Sequence, residues 1–162
     1  MIKITKVVLD DLLLLQKLSI RSYKEAFYSL INHNDVDSYV DQVYELASLK
    51  AELTDPANDF YFLKAGDKLC GYLKLTLEND SLELSRIYML NGFKGLGVGS
   101  FAVEKTEEIA QRNNLHKLVL GVLAINTPAI SFYLHKGFVK YSETSVKIGH
   151  DSFKLLLMDK EI

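Results

Sequence analysis

Cysteine is nearly absent from this chain: Cys70 is the only one among 162 residues. A lone thiol forms no intramolecular disulfide and builds no thiolate metal cluster, so a cytoplasmic compartment is expected, with Cys70 in an apolar strand pattern as core. Long apolar runs are also missing. Leu12 to Leu15 follows Asp10 and Asp11 and is far too short for a signal or membrane segment. No basic tract occurs, and the formal net charge of −2 argues against broad binding to nucleic acid or anionic lipid. There is no metal-ligand motif, repeat, linker or low-complexity stretch. What is present is balanced, 48% hydrophobic and 25% charged, which fits one globular domain spanning residues 1–162.

Hydrophobic spacing sets out the elements. Ile2 and Ile4 alternate with Lys3 and Thr5 in a short strand, and Leu12, Leu15, Leu18, Ser22, Ala26 and Leu30 then follow helical spacing. Asn32-His33-Asn34-Asp35 breaks the pattern. Val36, Tyr39, Val40, Val43 and Ala47 restart it, up to Asp55-Pro56. Three strands follow, Phe60 to Lys64, Leu69 to Leu77 and Leu82 to Leu90, with turns at Gly66-Asp67 and Asn79-Asp80. In the third, Leu82, Leu84, Arg86 and Tyr88 are expected on one face and Glu83, Ser85, Ile87 and Met89 on the other. A helix from Val98, a strand from Lys117 to Val122, a short helix opened by Asn126-Thr127-Pro128 and ended by Gly137, and two closing strands complete the order βααβββαβαββ. The fold class is α/β (α+β), a mixed, mostly antiparallel sheet of seven strands flanked by helices.

The segment Lys94-Gly95-Leu96-Gly97-Val98-Gly99-Ser100 joins the third meander strand to a helix. Alternate glycines there allow a close backbone approach and turn N–H groups toward an anion above the helix N-terminus, most naturally a phosphate. A P-loop would need a Lys followed by Ser or Thr after its last glycine, and none is present. Gly97-Val98-Gly99-Ser100-Phe101-Ala102 matches a dinucleotide fingerprint, but Gly121, Val122, Leu123 and Ala124 supply no acid for a ribose, and the loop follows an antiparallel meander.

The segment from Leu82 to Phe138 resembles the GCN5-related N-acetyltransferases (GNAT). The resemblance lies in Lys94-Gly95-Leu96-Gly97-Val98-Gly99, then Asn126, then Phe132-Tyr133-Leu134-His135-Lys136-Gly137-Phe138. Lys94 stands where the family usually has Gln or Arg. Leu120-Gly121-Val122, Gly149-His150-Asp151 and Leu157-Met158-Asp159-Lys160-Glu161 look like the bacterial spermidine/spermine acetyltransferases, although Leu123-Ala124 replaces that branch's Trp-Glu.

The resemblance implies an acyltransferase moving acetyl from acetyl-CoA to a primary amine, polyamine-like or another small molecule, by direct attack. The N–H groups of residues 95–100 would bind pyrophosphate. Ile87, Tyr88 and Met89 would pair with the pantetheine arm through their backbone, the N–H near Met89 polarising the thioester carbonyl, and Asn126 would contact the same arm. Tyr133 would protonate the coenzyme A sulfur. The family often places a Glu base at the position of Gly121, and Glu83, expected to share a face with Ser85 and Ile87, is the substitute. His33 and His135 are further candidates for the base. Asn32 to Asp35 with Asp37 would receive a cationic acceptor. No metal and no nucleic-acid or membrane partner is expected, and a homodimer is compatible with this reading. Acetylation of a protein N-terminus or lysine, and a non-catalytic acyl-CoA-binding sensor, stay open as alternatives.

Overall fold

In the computed structural model, which describes residues 1–162, the chain runs through β1 (Ile2–Lys6), α1 (Leu12–Phe27), α2 (His33–Val43), α3 (Leu46–Thr54), β2 (Asn58–Ala65), β3 (Lys68–Leu77), β4 (Leu82–Met89), α4 (Val98–Arg112), β5 (Lys117–Leu123), α5 (Thr127–His135), β6 (Val139–Ile148) and β7 (Asp151–Glu161). The expected second helix is thus two. Tyr44 ends α2 with φ −103°, and Glu45 is extended at φ −61° and ψ 149°. Tyr44 is buried, and its carbonyl accepts a hydrogen bond from Gln16 Nε2 of α1 at 3.0 Å. A tertiary contact holds this break, and neither Gly nor Pro marks it in the sequence.

The seven strands form one sheet in the order β1-β2-β3-β4-β5-β7-β6. Every neighbouring pair is antiparallel except β4 and β5, which the α4 crossover makes parallel. That pair is short: only Leu82↔Leu118 and Glu83↔Val119 are in register, and the two strands then part.

A β-bulge corrects the expected faces of β4. Lys74 pairs with Arg86 but Leu75 pairs with Leu84, so Ser85 is the extra residue and the alternation inverts across it. Leu82 and Leu84 lie in the core under α4 and α5, and Ile87 packs with them. Tyr88 instead joins the core under α1 to α3. Glu83 therefore shares a face with Ser85, Arg86 and Tyr88, and not with Ile87.

The sheet thus separates two cores. Tyr23, Phe27, Tyr44, Phe60 and Tyr72 fill one side, and Leu73, Leu75, Leu118, Leu120 and Met158 fill the other. Buried Cys70 sits in a third, smaller cluster with Val98 and Ala102, its Sγ toward the Leu63 carbonyl.

Turning Arg86 toward the helices lets it meet α3. Its two terminal nitrogens each reach a Glu52 carboxylate oxygen at 3.0 Å, and Lys74 Nζ reaches the same carboxylate at 2.5 Å. All three side chains are at most a quarter exposed. Burial acts to raise the Glu52 carboxyl, but Arg86 and Lys74 outweigh it and hold it below its ordinary 4.5. Stability from this cluster is present above that value and is lost as pH falls through the lower folded one. Glu52→Gln should cost about 1–3 kcal/mol at pH 7, because two cations lose their carboxylate. It should also flatten the fall in urea midpoint between pH 6 and pH 3; parallel pH profiles for mutant and wild type would remove the cluster from the stability account.

Candidate active site

Gly95 and Gly97 both adopt φ +81°, a left-handed conformation that strains any side-chain-bearing residue. Gly97 is the N-cap of α4, and no side chain caps that helix. The first bonded amide of the turn is Phe101, donating to the Gly97 carbonyl at 3.0 Å. The N–H groups of Val98, Gly99 and Ser100 thus lack partners within the helix, at the positive end of a 15-residue dipole. Gly99 serves close packing instead, since a Cβ there would lie 3.2 Å from the Phe132 ring and 3.3 Å from Met89 Cε. The recess above this turn holds about 260 Å³, with Met89, Phe93, Lys94 and Phe132 among its walls.

Below the recess lies the gap between β4 and β5. Leu90 N–H donates to the Cys70 carbonyl of β3 at 2.8 Å. Strand alternation then turns the N–H and C=O groups of Met89 and Ile87 away from β3, into the gap. Gly121 opens the other wall, being exposed although β5 is a central strand. A Cβ on it would lie 2.9 Å from Leu155 Cδ2.

Tyr133 enters from the α5 side, packed against Phe132 and Phe138. Burial alone pushes its hydroxyl far above the usual tyrosine value, so it keeps its proton at neutral pH. Glu83, the last β4 residue in register with β5, stands at the apex of the gap on the opposite face. Ser85 Oγ donates to Glu83 Oε1 at 2.6 Å.

Residues 21–138 match the family model "Acetyltransferase (GNAT) family". The chain belongs to the GNAT acetyltransferase family. An N-acetyltransferase from the pepI 3′ region of Lactobacillus delbrueckii subsp. lactis is 28% identical, over 99% of this chain and 98% of that one. The spermidine N(1)-acetyltransferase of Thermoplasma acidophilum is 24% identical, over 85% and 88%. Among solved structures, the PaiA N-acetyltransferase of the same organism, in complex with coenzyme A, superposes with TM-score 0.85 at 20% identity, covering 100% of this chain and 99% of that one. The ribosomal-protein-S18-alanine N-acetyltransferase of Escherichia coli shares the fold at TM-score 0.73 and 16% identity, over 100% and 94%.

In this acetyltransferase the remaining expected site residues divide. Lys94 and Ser100 line the recess, Leu96 is exposed to solvent outside it, and the Tyr88 side chain turns into the tyrosine core. Asn126 caps α5, its Oδ1 accepting from Ala129 N–H at 3.4 Å. The acidic loop is already internally paired. Asn32 caps α2, and Asp35 is buried and accepts from both His150 N–H at 3.1 Å and His150 Nδ1 at 2.9 Å. Asp37 takes the Tyr28 hydroxyl and lies 3.5 Å from Lys24 Nζ. His33 stacks on Tyr28, and His135 lies against its own helix carbonyl at Ser131. The loop fastens α2 to the β6–β7 turn and to α1 and leaves no free carboxylate pair for a cation. Phe93 and Phe132 escaped the sequence reading, although Phe132 adjoins Tyr133 in the motif. Ser85 at the bulge gave no local signal.

Gly97→Val should weaken coenzyme A binding at least about tenfold, as the loop loses its left-handed turn. Isothermal titration of the folded variant checks this, and wild-type affinity would detach the loop from phosphate binding.

Proposed function

We propose that this chain transfers acetyl from acetyl-CoA to a primary amine by direct attack. The observation that carries the reading is the continuity of two features, an uncapped helix N-terminus and a strand gap edged by free main-chain groups of Ile87 and Met89, with a buried, proton-bearing Tyr133 beside Phe132, which lines the recess above them. The coenzyme A held by the Thermoplasma PaiA structure supports the same donor here. The N–H groups at 98–100 would hold the pyrophosphate, and the β4 backbone would hold the pantetheine as an added strand. Asn126 and Lys94 would flank the arm and the phosphates.

At pH 7 an amine of pKa about 10.4 must lose its proton at a cost of roughly 4 to 5 kcal/mol before it attacks. Glu83 would take that proton, directly or through a water, from the face opposite Tyr133. The N–H of Met89 or Ile87 would stabilise the oxyanion. Tyr133 would donate to the leaving sulfur and recover a proton from the nitrogen that becomes the amide. Separation by the sheet keeps the base from drawing the proton of the acid.

The name of the Thermoplasma spermidine enzyme supports a polyamine arm, while the internal pairing of Asp35 and Asp37 gives no support to these carboxylates as its ammonium site. Thiol release with spermidine, other small amines and N-terminal peptides separates the acceptors. Turnover with none of them, coenzyme A still binding, would make the chain a sensor. Tyr133→Phe should lower turnover about tenfold to a hundredfold while leaving coenzyme A affinity within about twofold. Unchanged turnover would remove Tyr133 from the role of proton donor.

A further inference from the structure

Glu83 is the near end of a hydrogen-bonded chain that crosses from β4 to β3 and β2. Ser85 Oγ lies 2.6 Å from Glu83 Oε1, Thr76 Oγ1 lies 2.6 Å from Ser85 Oγ, and Asn58 Oδ1 lies 2.9 Å from Thr76 Oγ1. Cross-strand pairing of Thr76 with Glu83 and of Asn58 with Thr76 keeps the members adjacent on one face, and all four residues are half-buried. The far end has a fixed polarity. Asn58 Nδ2 donates to the Glu52 carbonyl at 3.0 Å, which turns Oδ1 toward Thr76 as a pure acceptor.

Counting protons along this chain gives an asymmetry. Three contacts link four oxygens, and with Glu83 ionised only the Ser85 and Thr76 hydroxyl protons are available to fill them. One contact then stays empty, either at Asn58 Oδ1 or between the two hydroxyls. With Glu83 protonated, its O–H donates to Ser85, Ser85 donates to Thr76, and Thr76 donates to Asn58, so every contact is filled. We propose that Ser85, Thr76 and Asn58 form a positioning chain that orients the Glu83 carboxylate and fills its last contact, by rotation of two hydroxyls, when Glu83 accepts a proton. This rests on the reading of Glu83 as the base. The step balances: the ammonium N–H bond breaks, a Glu83 O–H bond forms, and the two hydroxyls rotate with no further bond made or lost.

The charged groups around Glu83 are distinct from the chain. Glu78, with Asp80 beside it in the β3–β4 turn, faces Glu83 as a like charge. Lys117 of β5 lies 3.8 Å from Asp159 of β7, and Arg86 and Lys74 are closed on Glu52 of α3. Substitution at Thr76 leaves each of them in place.

Thr76→Val keeps the shape and removes two filled contacts from the protonated state but one from the ionised state. The Glu83 pKa, followed by NMR of ¹³C-labelled glutamate carboxyls, should fall by roughly half a unit to one unit. Asn58→Leu should lower it likewise, and Thr76→Ser should restore it. The acidic limb of kcat/KM for acetyl transfer to a primary amine should move to lower pH in step. An unchanged Glu83 pKa in folded Thr76→Val overturns the proposal. A lowered Glu83 pKa with an unmoved pH–rate profile supports the chain and overturns Glu83 as the base.

Discussion

The parting of β4 from β5 is the constraint on which the rest of this structure depends. Two central strands of a sheet normally satisfy one another along their length, and here they share two residue pairs before separating. The main-chain groups of Ile87 and Met89 are thereby left without strand partners beside a buried core. Unpaired backbone groups in such a place are costly, and an extended ligand with amide groups of its own satisfies them as a strand would. The α4 crossover brings an uncapped helix N-terminus to the mouth of the same gap, next to these main-chain groups.

The bulge at Ser85 decides how chemistry is divided between the two faces. Without the extra residue, Arg86 would continue the face of Leu82 and Leu84 into an apolar core, at the cost of a buried unpaired cation. With it, Arg86 meets Glu52, and Ile87 takes the place in the apolar layer. The α4 and α5 face then carries helix dipole, glycine backbone and a neutral tyrosine. The α1 to α3 face carries Glu83, Ser85 and the Arg86–Glu52–Lys74 cluster. The proposed proton donor, Tyr133, and the proposed acceptor, Glu83, thus lie on opposite faces of one sheet.

Much of the fold was legible in the residues. Period-2 and period-3.6 spacing located every strand and most helices, and Pro128, Gly137 and Asn126 marked the limits of α5. The glycine loop was legible as well, since positive φ at Gly95 and Gly97 is a requirement of the backbone itself. The split of α2 from α3 was not, because Gln16 and a buried Tyr44 hold it from outside the segment. Nor was the engagement of Asp35 by His150, 115 positions away in the chain.

The sequence by itself determined the left-handed glycine turn at the start of α4 and the order of elements, because each follows from local conformation or spacing. Only the tertiary structure decided which face Glu83 occupies, which carboxylates are already paired and which hydroxyls stand behind Glu83. Those depend on strand register, and a single inserted residue at Ser85 reverses every face beyond it without altering any local preference.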